Sequence, residues 1–324
     1  MRRRDLLALS LAALPMALRP AAAQSKYPER PIRLVIPFPP GGVYDAVGRP
    51  WADRVKPTLG TVVVENIGGA GGALGAAAVA RAPSDGYTLL LGGGGALVLT
   101  PIASSRPPFD PVRDFEPIAL LVTTGLAIVV HPALPATTLA ELIDYARSNP
   151  GKLSYGSAGV GSMNQLTGEL FKSLSGATDI VHVPYKGAGP ATTAVLAGEA
   201  QVVFGSISSS LSYVRANRLV ALAVTSPRRS PLAPEVPTLA ESGVGDIDVP
   251  SWYTLLLPAH TPDDIAERLR GELKRLVANP EFTGQVARQA LEVQVLAPGQ
   301  YSAFLKSEID KWASVVRKNG IRAE

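Results

Sequence analysis

Cysteine is absent from all 324 residues. That excludes disulfide bonds, thiolate metal sites, a cysteine nucleophile and a lipid carried on an N-terminal cysteine. Charge is sparse as well: Lys, Arg, Asp and Glu make up 18% of the chain, against about 25% in an average soluble protein. Aromatic residues reach only 6%. The three histidines, His131, His182 and His260, are far apart in sequence, and each lies beside or near a proline. They read as surface or strand-end residues rather than as a metal or catalytic set. Scattered acids such as Asp110 and Asp114 form no pair suited to acid–base work. After the first 23 residues, no apolar run approaches the ~20 residues of a membrane helix.

What is present fits a globular α/β protein. Hydrophobic residues make up 46%, enough for a sizeable core in one large or two ordinary domains. The 31 glycines and 29 prolines fall between apolar runs without a fixed period, as turns do. The first 23 residues read as a signal peptide. Arg2, Arg3 and Arg4 begin it, an apolar stretch from Leu6 to Leu18 follows, and Ala21, Ala22 and Ala23 form a small-residue cleavage site before Gln24. The twin arginines leave both Sec and Tat export open. These 23 residues hold four arginines and one aspartate, so the +4 of the whole chain falls to +1 once they are removed. The sequence pI of about 9.3 thus overstates the basicity of the exported protein, and nothing points to a nucleic-acid surface.

Short β-rich runs alternate with helical patterns through most of the chain. Strands are expected at 32–36, 62–65, 88–91, 127–130, 154–155, 181–183, 201–204 and 219–224, with helices at 45–55, 72–81, 139–147, 163–174 and 190–196. The alternation predicts α/β with mainly parallel sheets. Thr138 and Glu141 form a capping box. Thr261, Pro262, Asp263 and Asp264 read as a cap, a proline at the first helical position and two acids at a positive helix end. Tyr301, Phe304, Leu305, Ile309, Trp312 and Val316 recur at helical spacing and read as core. No repeat, linker or domain break shows in the composition.

Two loops carry the chemistry. In "RLVIPFPPGGVYDAVGRPW", Pro39 and Pro40 stiffen the approach, Gly41 and Gly42 bare the backbone, and a helix follows. A helix start has unpaired N–H donors and the positive dipole end, so it suits a carboxylate or phosphate. A plain strand-to-helix turn explains the same residues equally well. "LSYGSAGVGSMNQLTGELF" repeats the pattern, with Gly156, Gly159 and Gly161 opening the backbone, Ser157 and Ser162 adding hydroxyls, and Ser162 placed to cap the helix. Two such cradles about 115 residues apart suit a dicarboxylate gripped from both sides. The glycines at 69, 71, 72 and 75 imitate a dinucleotide fingerprint, but Leu74 stands where a glycine or alanine is required. Tyr155 likewise replaces the leading glycine that a nucleophile elbow at Ser157 needs.

Several stretches in order, "YPERPIRLVIPFPPGG", "VVVEN" with a following "GAGG", "DGYTLLLG", "YGSAGVGS", "GELF", "HVPYKG" and "LALAVTSPRR", closely resemble the Bug (TctC-like) family over nearly the whole chain after residue 26. These are periplasmic solute-binding proteins of tripartite tricarboxylate transporters. The resemblance implies a type II periplasmic-binding-protein fold of α/β class, with two lobes that close on a ligand. Residues 24–125 with 251–324 would form one lobe and 126–250 the other. It also implies a monomer with no cofactor or metal, a small di-, tri- or aromatic carboxylate as guest, and transporter membrane subunits as partners. Carried over by motif, the ligand loop of the first lobe is Phe38, Pro40, Gly41, Gly42, Val43, Tyr44 and Asp45. That of the second is Ser157, Ala158, Gly159, Val160, Gly161 and Ser162, with Tyr185 and Lys186 beside it. A periplasmic sensor feeding a two-component kinase, and less favourably a hydrolase using Ser157 or Ser162, are the alternatives.

The departures from the family pattern have consequences. Val43 and Tyr44 replace small or polar residues, Gln165 replaces a histidine, Gly205 replaces an aspartate, and Ile67 and Gly68 replace Arg-Pro. Losing an acid at Gly205 and gaining an aromatic at Tyr44 predict a guest less polar than citrate, such as an aromatic or monocarboxylic acid.

Overall fold

The computed structural model describes residues 27–245, 249–288 and 291–319. The expected signal peptide at 1–23 lies outside them. In chain order the described residues form β1 (Ile32–Ile36), α1 (Val43–Leu59), β2 (Val62–Asn66), α2 (Ala73–Ala80) and β3 (Thr88–Gly93). Next come α3 (Thr100–Ala103), β4 (Phe115–Val130), α4 (Leu139–Ser148), β5 (Ser154–Ser157) and α5 (Met163–Ser175). They are followed by β6 (Val181–Pro184), α6 (Ala188–Leu196), β7 (Val202–Ser206), α7 (Ile207–Arg215) and β8 (Val220–Val224). The chain continues with β9 (Pro250–Pro258), α8 (Asp263–Val277), α9 (Pro280–Ala287), β10 (Glu292–Leu296) and α10 (Pro298–Asn319).

The strands run in the order β2-β1-β3-β9-β4-β7-β5-β6, with β8 and β10 also paired to β4. Parallel pairing is confined to the two ends: β1 with β2 and β3, and β5 with β6 and β7. Every pairing made by β4 or β9 is antiparallel. The expected mainly parallel arrangement is therefore corrected to a mixed one. The cause is β4, a 16-residue strand of which the sequence pattern showed only the end. Its residues 115–125 pair with β9, whereas its residues 126–130 pair with β7 and β8. Pro117, which has no N–H to donate, lies at the first of two register shifts against β9.

Apolar residues fill both faces of each end of the sheet. Leu34, Trp51, Leu89 and Leu255 pack with Leu269 and Leu273 of α8, and each large side chain so buried contributes roughly 1.5–3 kcal/mol. On the other face Leu97 and Trp252 meet Tyr301, Leu305 and Trp312 of α10, and Met163 and Leu166 of α5 join them. The C-terminal helix is thus core, as its spacing predicts. Around β5 and β7, Tyr155, Phe171 and Phe204 form the next cluster. Local signals mostly act as read. Thr138 Oγ1 accepts from the Glu141 N–H at 3.2 Å, and Glu141 Oε2 accepts from the Thr138 N–H at 3.1 Å. At α8 the reading is corrected: Pro262 is the N-cap, while the Thr261 hydroxyl donates to the Pro258 carbonyl at 2.7 Å.

Candidate functional site

Four helices begin around one cavity of about 220 Å³. Their N-cap residues, Gly42 of α1, Ser162 of α5, Gly187 of α6 and Ser206 of α7, all line it. The first-turn amides of a helix have no acceptor within it, and its dipole places partial positive charge there. Two of these helices follow strands whose loops the sequence had singled out. Of the other two, α6 repeats the strand–loop–helix plan in "PYKGAGP", whereas β7 runs straight into α7 at "FGSISSS".

The first loop is braced from behind. Gly41 has φ +90°, and its N–H donates to Asp45 Oδ2 at 2.8 Å. The other oxygen of Asp45 takes Arg49 Nε at 2.7 Å, and the Asn66 amide donates to the Phe38 carbonyl at 2.9 Å. Asp45 therefore works as a buried strut. Phe38, Pro40, Gly42, Val43 and Tyr44 face the cavity, and Gly41 lines an adjoining cleft of about 440 Å³ that α1 shares with α6 and α7. Tyr44 stacks on Phe38 with ring centres 4.6 Å apart and meets Tyr253 edge-on at 4.8 Å.

The second loop is held by a chain of side chains. Ser157 Oγ, fully buried, accepts the Gly159 N–H at 3.1 Å and lies 2.6 Å from His182 Nε2. The His182 ring stacks on Tyr155, whose hydroxyl donates to Glu169 Oε1 at 2.7 Å, and Glu169 pairs with Lys172. Ser162 caps α5 as expected, accepting from the Gln165 N–H, and its hydroxyl donates to the Gly159 carbonyl at 2.7 Å. Gln165 Oε1 occupies the Gly161 N–H at 2.8 Å, which withdraws that amide from any guest. Of this loop Ala158 and Ser162 line the cavity, and Lys186 lines it as well. Ser157, Gly159, Val160, Gly161 and Tyr185 stand behind that lining; the Tyr185 N–H donates to the Ser157 carbonyl at 3.0 Å.

Contributions the sequence reading did not include are Ser206, Ser251, Tyr253, Leu126, Met163 and Asn164. Ser251 and Tyr253 belong to β9, which carries no alternating pattern because it is buried along nearly its whole length. The second loop also meets two glycines from outside the first loop, Gly71 and Gly95, with no side chains between them. A Cβ on Gly71, which has φ +62°, would lie 2.8 Å from the Val160 carbonyl oxygen, and one on Gly95 would lie 3.0 Å from that of Gly161. A second cavity of about 250 Å³ sits beside 123–125 of β4, where Arg228 faces Glu292 at 3.8 Å; no helix N-cap lines it. Among the described residues no group of three or more His, Cys, Asp or Glu could hold a metal ion.

Burial pushes His182 below its usual range, outweighing the nearby Glu169 carboxylate, while Lys172 adds to the fall. The unfolded chain then binds more protons than the folded one as pH drops below ~6.5. Stability contributed above that pH is lost on acidification toward the depressed folded value. A His182→Gln variant is expected to lose less melting temperature than the parent between about pH 7.5 and about pH 5.5. Equal losses would show that His182 does not carry the effect.

Residues 47–321 match the family model TctC, tripartite tricarboxylate transporter family receptor. Protein BugT of Bordetella pertussis is 33% identical over 298 residues, which cover 91% of this chain and 91% of BugT. The solved periplasmic binding protein BugD is 34% identical with a TM-score of 0.86, over 91% of this chain and 99% of BugD. A Rhodopseudomonas palustris protein solved with adipate is 31% identical with a TM-score of 0.87, over 91% and 99% of the two chains.

Proposed function

The chain belongs to the TctC family of tripartite tricarboxylate transporter receptors, and from that membership we propose that it captures a small organic carboxylate between two lobes and delivers it to the membrane subunits of such a transporter. Its family and its solved neighbour BugD are solute-binding proteins, not enzymes. The observation that carries the reading is the convergence of four helix N-caps on one cavity. Amide donors and dipoles of this kind hold an anion without a fixed counter-charge. Each hydrogen bond to a charged group contributes roughly 1.5–3 kcal/mol, so a handful of them, after the costs of association, supports micromolar affinity. The adipate in the R. palustris neighbour is a guest of this class.

The lobes in this reading are 24–125 with 251–324, and 126–250. Its support is the change of partner along β4, where Gly125 pairs with Pro250 and Leu126 with Ser206. Closure brings amides from both lobes onto one anion, so ligand shifts the population toward the closed form. Export to the periplasm, as a monomer, completes the proposal. Native mass spectrometry of the purified protein, followed by denaturation, tests it. A released organic acid is the expected result; a sugar, a nucleoside or a cation in its place overturns it.

A further inference from the structure

Resting on the carboxylate-receptor reading, we propose that the guest is an aromatic monocarboxylate, its ring against the corner made by Phe38, Tyr44 and Tyr253 and its one acid group at the helix N-caps.

The corner is rigid. Tyr44 is held between the stacked Phe38 ring and the edge-on Tyr253 ring. Its hydroxyl lies beside Gly93 of β3, where a Cβ would come within 2.4 Å of it. Gly93 does not line the cavity, so what Tyr44 offers a guest is ring carbon rather than a polar tip. Burial raises the Tyr44 hydroxyl well above the ordinary phenol range, and burial pushes Tyr253 up to about 12. Both rings are therefore neutral at physiological pH. Aromatic faces and edges fixed in this way select flat rings through offset or edge-on contacts.

The charge distribution favours one acid group over two. Among the described residues lining the cavity, Lys186 is the single charged side chain, and it is exposed. No arginine, histidine or acid lines it. Val43, Leu126 and Met163 add further apolar surface. A second carboxylate at the aromatic end would be stripped of water with only the Ser251 and Tyr253 hydroxyls beside it, already bonded to each other at 3.0 Å, which is costly. The cavity of about 220 Å³ falls below the roughly 300–1,000 Å³ of drug-sized sites, which suits a single ring with its acid.

Calorimetric titration of the unmodified protein with benzoate, cyclohexanecarboxylate, adipate, malate and benzamide tests this. Benzoate is expected to bind about tenfold or more tightly than either diacid, more tightly than the non-planar cyclohexanecarboxylate, and far more tightly than uncharged benzamide. Tyr44→Ala should weaken benzoate about tenfold, whereas Tyr44→Phe, which keeps the ring, should stay close to the parent. Adipate or malate binding more tightly than benzoate overturns the aromatic proposal and leaves the carboxylate reading standing. Cyclohexanecarboxylate equal to benzoate overturns the ring preference. Benzamide equal to benzoate, or no binding of any acid, overturns the carboxylate reading as well. The ligand series on the parent protein decides the matter even if Tyr44→Ala fails to fold.

Discussion

Replacing Glu308 with alanine is expected to cost about 2–6 kcal/mol of stability, the range for leaving two buried donors without an acceptor. Glu308 is only 4% exposed, on α10. Its Oε2 accepts from the indole N–H of Trp252 at 3.0 Å and from that of Trp312 at 3.2 Å, while Lys311 Nζ meets Oε1 at 2.9 Å. Alanine would leave two buried indole donors unsatisfied, each at about 1–3 kcal/mol, and open a void between β9 and α10. Glu308→Gln keeps an acceptor and should cost less. Urea denaturation followed by tryptophan fluorescence measures both. A loss below about 1 kcal/mol for alanine would mean that water or a neighbour takes over both indoles.

The second large effect is expected at Gly71. Its left-handed φ of +62° already disfavours a side chain, and an added methyl would press on the backbone of Val160 and Gly161 in the second loop. Overpacking of this kind costs about 1–3 kcal/mol. Because the contact joins the two proposed lobes, the cost falls on the closed form. Gly71→Ala should therefore weaken binding of the acid recovered from the native protein about 10- to 100-fold, with a smaller change in unfolding midpoint. Unchanged affinity in a titration would show that this contact plays no part in binding.

The parts of this protein legible in the sequence are those fixed by neighbours along the chain. The capping box at Thr138 and Glu141, the Ser162 cap and the buried face of α10 each need only a few adjacent residues. Both glycine loops were visible for the same reason. The starts of α6 and α7 carry a weaker version of that signal, with Gly187 and Ser206 as unassisted caps, and the sequence reading did not extract them. Long-range pairing was out of reach. Ser157 and His182 are 25 residues apart and meet because β5 and β6 run parallel with Tyr155 beside His182. Read alone, His182 was a strand-end histidine. The first twelve residues of β4 were hidden by Pro117 and by the Thr123-Thr124-Gly125 break, and β9 by its even burial. Without those strands the aromatic partner of Tyr44 could not be named.

The near-neutral lining of the cavity has a bearing on the medium the protein meets. Attraction built from amide donors pointing inward is short-ranged and shielded by the surrounding protein, so dissolved ions compete with it poorly. A receptor that relied on surface arginines would loosen its hold as salinity rose. On the proposed reading, with Lys186 the one charged side chain among the described lining residues, affinity is expected to change little between dilute and briny surroundings.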